Sequence, residues 1–235
     1  MKIALLCSGP VPERYHPVTG GGNTDIFRNL FDHAPEFEVE LTEFDIMAGN
    51  YPNNPADFDG YIVGGSSASV YDDLDWVHNL ASYYQELQTA GSKLVGICFG
   101  HQMLAHALGG ETIKSPKGWG IGVKSFEIYE QEEWMMPALD GFDVLLSCQD
   151  QVVKMPDSGK LLAGSGFCNV GMFKVGENML GIQGHPEFLP KFSEALMDAR
   201  TDRIPAETIA AARKTLDRPR HTTELATWIL NFIQR

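Results

Sequence analysis

The sequence predicts an α/β fold: an open, mostly parallel sheet flanked by helices, with an antiparallel extension in the second half. Three observations predict it. Up to Leu108, short apolar runs alternate with longer segments of helical period, the pattern of a wound parallel sheet. After Glu111, strand-like pieces follow one another across short turns, and turns that short join only antiparallel neighbours. Three helical segments then close the chain.

Lys2–Cys7 is an apolar run that ends in Ser8-Gly9-Pro10, a strand running into a loop. Thr24–Phe31 carries apolar residues at helical spacing, with Thr24 or Asn23 as its N-cap. Phe37–Phe44 alternates like a half-buried strand. The Pro/Asn-rich stretch Asn50–Pro55 is loop. Tyr61–Val63 is a short strand leading into Gly64-Gly65. Leu74–Thr89 is helical, and Gly91 suits its C-terminal stop. Lys93–Ile97 is a buried strand followed by a helix to about Leu108, ended by Gly109-Gly110. Gly122–Ile128, Val144–Cys148, Leu161–Ala163, Val170–Val175 and Met179–Gln183 read as strands, with a hairpin signal at Val175-Gly176-Glu177-Asn178. Phe188–Ala199, Ala206–Leu216 and Thr223–Ile233 read as the closing helices, with Pro205 in a helix first turn.

Length and composition bound the function. A chain of 235 residues with no linker or repeat suits one domain, residues 1–235, and is long enough for a full core. Eighteen basic against 31 acidic residues give a net charge of −13. That argues against nucleic acid and anionic membrane as partners, both of which reward clustered positive charge. No apolar run approaches the roughly 20 residues of a membrane span. The N-terminal run is too short for a signal peptide. Cys7, Cys98, Cys148 and Cys168 are scattered, which suits free thiols in a reducing compartment and a cytoplasmic location. No His/Cys/carboxylate cluster has metal-ligand spacing, so neither metal nor other cofactor is expected.

The most informative stretch is Gly96-Ile97-Cys98-Phe99-Gly100, between a buried strand and a helix. A residue on so sharp a strand-to-helix turn needs small neighbours two positions away on either side, and Gly96 and Gly100 supply them. Cys98 would project above the carboxyl ends of the strands, where open α/β sheets place ligands. The helix N-terminus would favour its thiolate. The Phe99 N–H would be free to donate to an oxyanion. The plain alternative is a buried core cysteine.

A thiol nucleophile needs a base and the base an orienter. Gly184-His185-Pro186-Glu187 offers both. Pro186 keeps His185 out of the helical region, and in extended chain His185 and Glu187 would emerge on one side. The alternative is a surface turn with a stray ion pair. The other histidines fit the role less well. His101 follows Cys98 on the same helix and reads as a packing or polar-network residue; His16, His33, His78, His106 and His221 lie in loops, helices or near the C-terminus. Gly20-Gly21-Gly22 reads as a flexible loop, with an anion cradle as the alternative.

Together, Gly96-Ile97-Cys98-Phe99-Gly100-His101-Gln102 and Gly184-His185-Pro186-Glu187 resemble the motifs of the class I glutamine amidotransferases. The resemblance spans most of the chain, with similarity to the glutaminase part of GMP synthetase and to the γ-glutamyl peptidases. It implies a flavodoxin-like sheet, Cys98 as nucleophile, His185 as base and Glu187 as orienting acid. It implies the N–H groups of Phe99 and Gly65 as oxyanion donors, Gly65 standing in the Gly64-Gly65-Ser66 loop. Gln102 matches a glutamine that contacts the bound glutamyl group. Ser147-Cys148-Gln149-Asp150 resembles the segment beside the substrate, which marks Gln149 and Asp150 as substrate-binding. Cys148 departs from the family's histidine in that segment and reads as a packing residue. Gly118-Trp119-Gly120-Ile121-Gly122 resembles the start of the antiparallel segment.

The activity implied is hydrolysis of the γ-glutamyl amide of glutamine through a γ-glutamyl thioester. The sequence holds no Ser-Gly-Gly-x-Asp-Ser loop of an ATP-using synthetase, so a glutaminase would pass ammonia to a separate synthetase subunit. Two alternatives stand beside it: a stand-alone γ-glutamyl peptidase acting on conjugates, and a non-catalytic regulatory protein of the same fold. The Gly20–Gly22 loop and Ser67–Asp73 are placed to border the pocket and set the leaving-group preference.

Overall fold

The computed structural model describes residues 1–235. Nine strands form one sheet in the order β2-β1-β3-β4-β11-β10-β9-β6-β7. Its parallel half comprises β1 (Lys2–Cys7), β2 (Glu40–Asp45), β3 (Gly60–Val63), β4 (Leu94–Ile97) and β11 (Met179–Ile182). The antiparallel half adds β10 (Met172–Val175), β9 (Gly159–Gly164), β6 (Gly120–Ile128) and β7 (Gly141–Cys148). A separate antiparallel pair joins β5 (Glu111–Lys114) to β8 (Asp150–Lys154).

Alternation along β1 explains why both faces are covered. Ile3 and Leu5 join the apolar cluster built by α2 (Asn23–Phe31) and α7 (Thr222–Gln234). Ala4 and Leu6 point the other way, into the cluster built by α3 (Asp75–Ala90) and α4 (Phe99–Ala107). Residues i and i+2 share a face in a strand, so an unbroken apolar run feeds two cores at once. A third cluster forms where α5 (Pro190–Asp198) and α6 (Ala206–Arg213) cover β6 and β7 through Ile121, Val123, Leu145, Met197, Ile204 and Ile209. The short α1 (His16–Thr19) lies against α5. No helix is long and apolar enough to cross a membrane.

The expected α/β architecture and its antiparallel extension are both present, with local differences. The strand expected at Phe37–Phe44 begins at Glu40, because Phe37 N–H closes a turn onto the Ala34 carbonyl. The N-cap of α2 is Gly22 rather than Asn23 or Thr24: the Asp25 carboxylate accepts the Gly22 N–H at 3.0 Å. Pro205 stands at the N-cap of α6, just outside the first turn. The helix after Leu189 starts at Pro190 and leaves Phe188 outside it. The β5–β8 pair is not among the expected strands; its short segments carry no clear alternation. Gly176, at φ +59°, opens the three-residue turn between Val175 and Met179.

Candidate active site

Two adjacent parallel strands deliver the two central residues. β4 and β11 pair with Ile97 opposite Ile182, and the Cys98 N–H donates to the Ile182 carbonyl at 2.9 Å. Cys98 and the loop to His185 therefore leave the sheet at one level. The loops after β1 and β3 join them at the same carboxyl end, so Ser8, Gly65, Cys98, His185 and Glu187 line one cavity of about 410 Å³.

Cys98 caps α4 with φ +54° and ψ −98°, and no other non-glycine residue has positive φ. Such a conformation costs energy and clusters at functional sites. Its neighbours must lack a Cβ. One on Gly96 would lie 2.3 Å from the Gly100 backbone, and one on Gly100 would lie 2.3 Å from the Val63 carbonyl oxygen. Phe99 is the first residue of α4, so its N–H has no acceptor within the helix. Gly65 approaches the imidazole so closely that a Cβ would stand 3.0 Å from His185 Cε1. Ser8 Oγ donates to the Gly65 carbonyl at 3.0 Å and holds that loop.

His185 and Glu187 are both buried, and Nδ1 of the ring lies 2.7 Å from Glu187 Oε1. Residues 185–188 form a turn closed by Phe188 N–H to the His185 carbonyl, and His185 N–H donates to Leu145. The carboxylate thus reaches the ring through a turn with Pro186 at its second position, not through the extended alternation expected from Pro186. Phe188 stacks on the imidazole, with ring centres 3.8 Å apart and planes 14° apart. Packing and hydrogen bonding together fix the ring.

The charges of the site are coupled. Cys148 lowers the Cys98 pKa most strongly by hydrogen bonding to its thiolate; burial opposes this, and the His185 charge adds to it, leaving Cys98 at about 5. Burial alone would lower the His185 pKa, but the negative charges of Cys98 and Glu187 outweigh it and raise it to about 10. Both shifts run toward the charged forms, thiolate on Cys98 and imidazolium on His185.

A second cavity of about 410 Å³ opens on the other side of Cys98, lined by Gln102, Gln149 and Asp150 among others. Gln102 is buried, and its Nε2 donates to the Asp150 carbonyl at 2.8 Å and to Gln183 Oε1 at 3.1 Å. The Asp150 carboxylate accepts the hydroxyls of Ser69 at 2.6 Å and Tyr71 at 3.1 Å. Ser67, Ser69 and Tyr71 thus bring the 67–73 segment to this cavity, as expected, whereas Gly20–Gly22 line neither cavity. His101 is fully buried with its edge on Phe173, and burial lowers its pKa to about 4, which suits a neutral packing residue.

Sequence reasoning missed Arg200 and Arg203, which line both cavities. Arg200 donates to Ser147 Oγ at 2.8 Å and sits over the Trp119 ring. No motif marks these arginines, because only the packing of α5 against β6 and β7 brings them to the site. No group of residues forms a metal-binding cluster.

The family model for class-I glutamine amidotransferases matches residues 24–199. γ-Glutamyl peptidase 3 of Arabidopsis thaliana is 33% identical over 178 residues, covering 72% of this chain and 70% of that protein. The glutamine-hydrolyzing component of the GMP synthase of Archaeoglobus fulgidus is 33% identical over 132 residues, covering 56% of this chain and 67% of its own. A glutamine amidotransferase structure from Thermotoga maritima superposes with a TM-score of 0.75 at 16% identity, covering 100% of this chain and 96% of its own, which supports the fold alone. With the family match spanning most of its length, this chain belongs to the class-I glutamine amidotransferase family.

Proposed function

We propose that the protein hydrolyses γ-glutamyl amides through a γ-glutamyl thioester on Cys98. The observation that carries this reading is the ion pair of His185 and Glu187, held at 2.7 Å on the wall of the cavity that Cys98 also lines. The Cys98 thiolate attacks the δ-carbonyl carbon. Phe99 and Gly65 N–H groups stabilise the oxyanion, each worth about 3–4 kcal/mol in such sites. His185 gives its Nε2 proton to the leaving nitrogen, and the thioester forms. The imidazole then takes a proton from water, which attacks the thioester and frees glutamate and the thiolate. Glu187 keeps the ring oriented and stabilises its charged form throughout.

Gln102, Gln149 and Asp150 flank the nucleophile on the side we assign to the glutamyl α-amino and α-carboxylate groups. The cationic rim of Arg200 and Arg203 favours a leaving group that itself carries a carboxylate. That supports a γ-glutamyl peptide as substrate ahead of glutamine. Glutamine as substrate, with ammonia passed to a synthetase partner, is the second reading; the GMP synthase component found by comparison supports it.

Assay of glutamine and γ-glutamyl dipeptides separates the two readings. Turnover of dipeptides by the isolated chain is expected. Weak glutaminase activity that rises only when cell extract is added supports the ammonia-donating role instead. Cys98→Ala must abolish either activity, and retention of full turnover by that variant removes the whole proposal. Labelling with a glutamine-like diazo-ketone should place its adduct in the tryptic peptide 94–114.

A further inference from the structure

Cys148 has no step in the hydrolysis just described, yet it ends β7 against the nucleophile. Both residues line the second cavity, and both belong to one apolar cluster. β7 is locked to the site two ways: Leu145 accepts the His185 N–H, and Ser147 accepts the Arg200 guanidinium. Cys98 also lines the first cavity, which Cys148 does not, so a small solute has a second route to the nucleophile.

We propose that Cys98 and Cys148 form a reversible oxidation site, in which a hydroperoxide converts the nucleophile to a sulfenic acid and Cys148 captures it as a disulfide. In the first step the Cys98 thiolate attacks the peroxide O–O bond. Sulfur loses two electrons and gains the hydroxyl, and the peroxide is reduced to water or an alcohol, taking up one proton. In the second step the Cys148 sulfur attacks the Cys98 sulfur. The S–S bond forms, the S–O bond breaks, and the hydroxyl leaves as water with the Cys148 proton. An external dithiol reverses the bond by exchange.

The electrostatics order the two steps. A Cys98 thiolate beside it and burial together hold Cys148 firmly protonated. Oxidation to a neutral sulfenic acid removes that negative charge, and with it the main reason for Cys148 to keep its proton. Burial also raises the pKa of Cys7 and Cys168, so neither competes as a first target. Cys168 shares the apolar cluster and its thiol is directed to the Val170 carbonyl, which makes it the control for partner choice.

The test is mass spectrometry of the full chain after hydrogen peroxide, followed by trypsin without reductant. The expected product is about 2 Da lighter than the reduced chain, the loss of two hydrogens, with peptides 94–114 and 125–154 linked. Dithiothreitol should separate them and restore free Cys98. In Cys148→Ser, peroxide should drive Cys98 to sulfinic acid, which dithiothreitol does not recover. Linkage of 94–114 to 161–174, or sulfinic acid on Cys98 of the unsubstituted chain with no linkage at all, overturns the proposal. These masses are read without any substrate, so their failure is distinct from failure of the proposed hydrolysis.

Discussion

At the residue scale, the proposed hydrolysis rests on the charge state of two groups. Cys98 lies well below an ordinary thiol, at about 5, with Cys148 and His185 stabilising its negative form against burial. His185 lies at about 10, because Cys98 and Glu187 outweigh burial. The sign of the pH dependence follows. Below the lowered thiol pKa the nucleophile is protonated and turnover falls. Above the raised imidazole pKa the proton for the leaving nitrogen is gone and turnover falls again. A broad bell in kcat/KM is expected, with limbs near these two values that belong to the coupled pair rather than to either group alone. A single limb near the ordinary histidine pKa in a pH–rate profile would contradict it. Glu187→Gln keeps the shape of the orienting group but removes its charge. It should lower kcat by about 10²–10⁴-fold and move the alkaline limb down, since the imidazolium loses a partner at 2.7 Å.

At the element scale, the strand–turn–helix at Gly96–Gly100 sets the position of the sulfur, and two glycines of different kinds show what it demands. Gly100 has ordinary backbone angles, but a Cβ would meet the Val63 carbonyl oxygen at 2.3 Å. Gly91 ends α3 at φ +71° with nothing within 4 Å of a Cβ. Gly91→Ala should therefore cost only the left-handed conformation, about 1 kcal/mol. Gly100→Ala forces β3 and α4 apart and should cost about 1–3 kcal/mol, with activity lost beyond what stability explains. Denaturant midpoints and specific activity of the folded fraction, measured side by side, distinguish the two. The turn at 185–188 plays the matching part for the proposed base, with Phe188 placed on the imidazole face instead of in α5.

At the scale of the whole molecule, the extension of the sheet carries a buried cation. Lys174 on β10 is 8% exposed at its side chain and pairs with Glu132 at 2.9 Å and with the exposed Glu177 at 3.0 Å. Glu132 also binds Lys160 at 2.8 Å. Burial would raise the Glu132 pKa, but hydrogen bonds from Lys160 and Lys174 more than offset it and lower it. A depressed carboxylate stabilises the fold above its unfolded pKa and loses that contribution as pH falls through the folded value. Glu132→Gln should cost about 1–2 kcal/mol at neutral pH, and the difference from the unsubstituted chain should shrink on acidification. A pH-independent difference in thermal unfolding would show that packing, not charge, is at stake.

The legible parts of this protein are those whose cause is local. Gly96 and Gly100 around Cys98 announce a tight turn because a Cβ cannot fit there. Gly91 and Gly176 mark a helix end and a hairpin through their positive φ. His185-Pro186-Glu187 announces an imidazole paired with a carboxylate, although extended-chain reasoning does not reveal the turn that joins them. β5 and β8 are not evident either, because strands this short gain their identity from each other. Arg200 and Arg203 are equally hidden, since an arginine just past a helix reads as solvated until something packs beneath it.

Alone, then, the order of residues determined the fold class, the tight turn at Cys98 and the family. The tertiary structure decided which atoms meet. Parallel pairing of β4 with β11 sets Ile97 opposite Ile182 and brings two segments far apart in the chain to one cavity. The antiparallel extension sets Cys148 beside Cys98, and the end of α5 delivers Arg200 to both cavities. Backbone conformation is fixed by neighbours in sequence, whereas the field around a sulfur is fixed by neighbours in space.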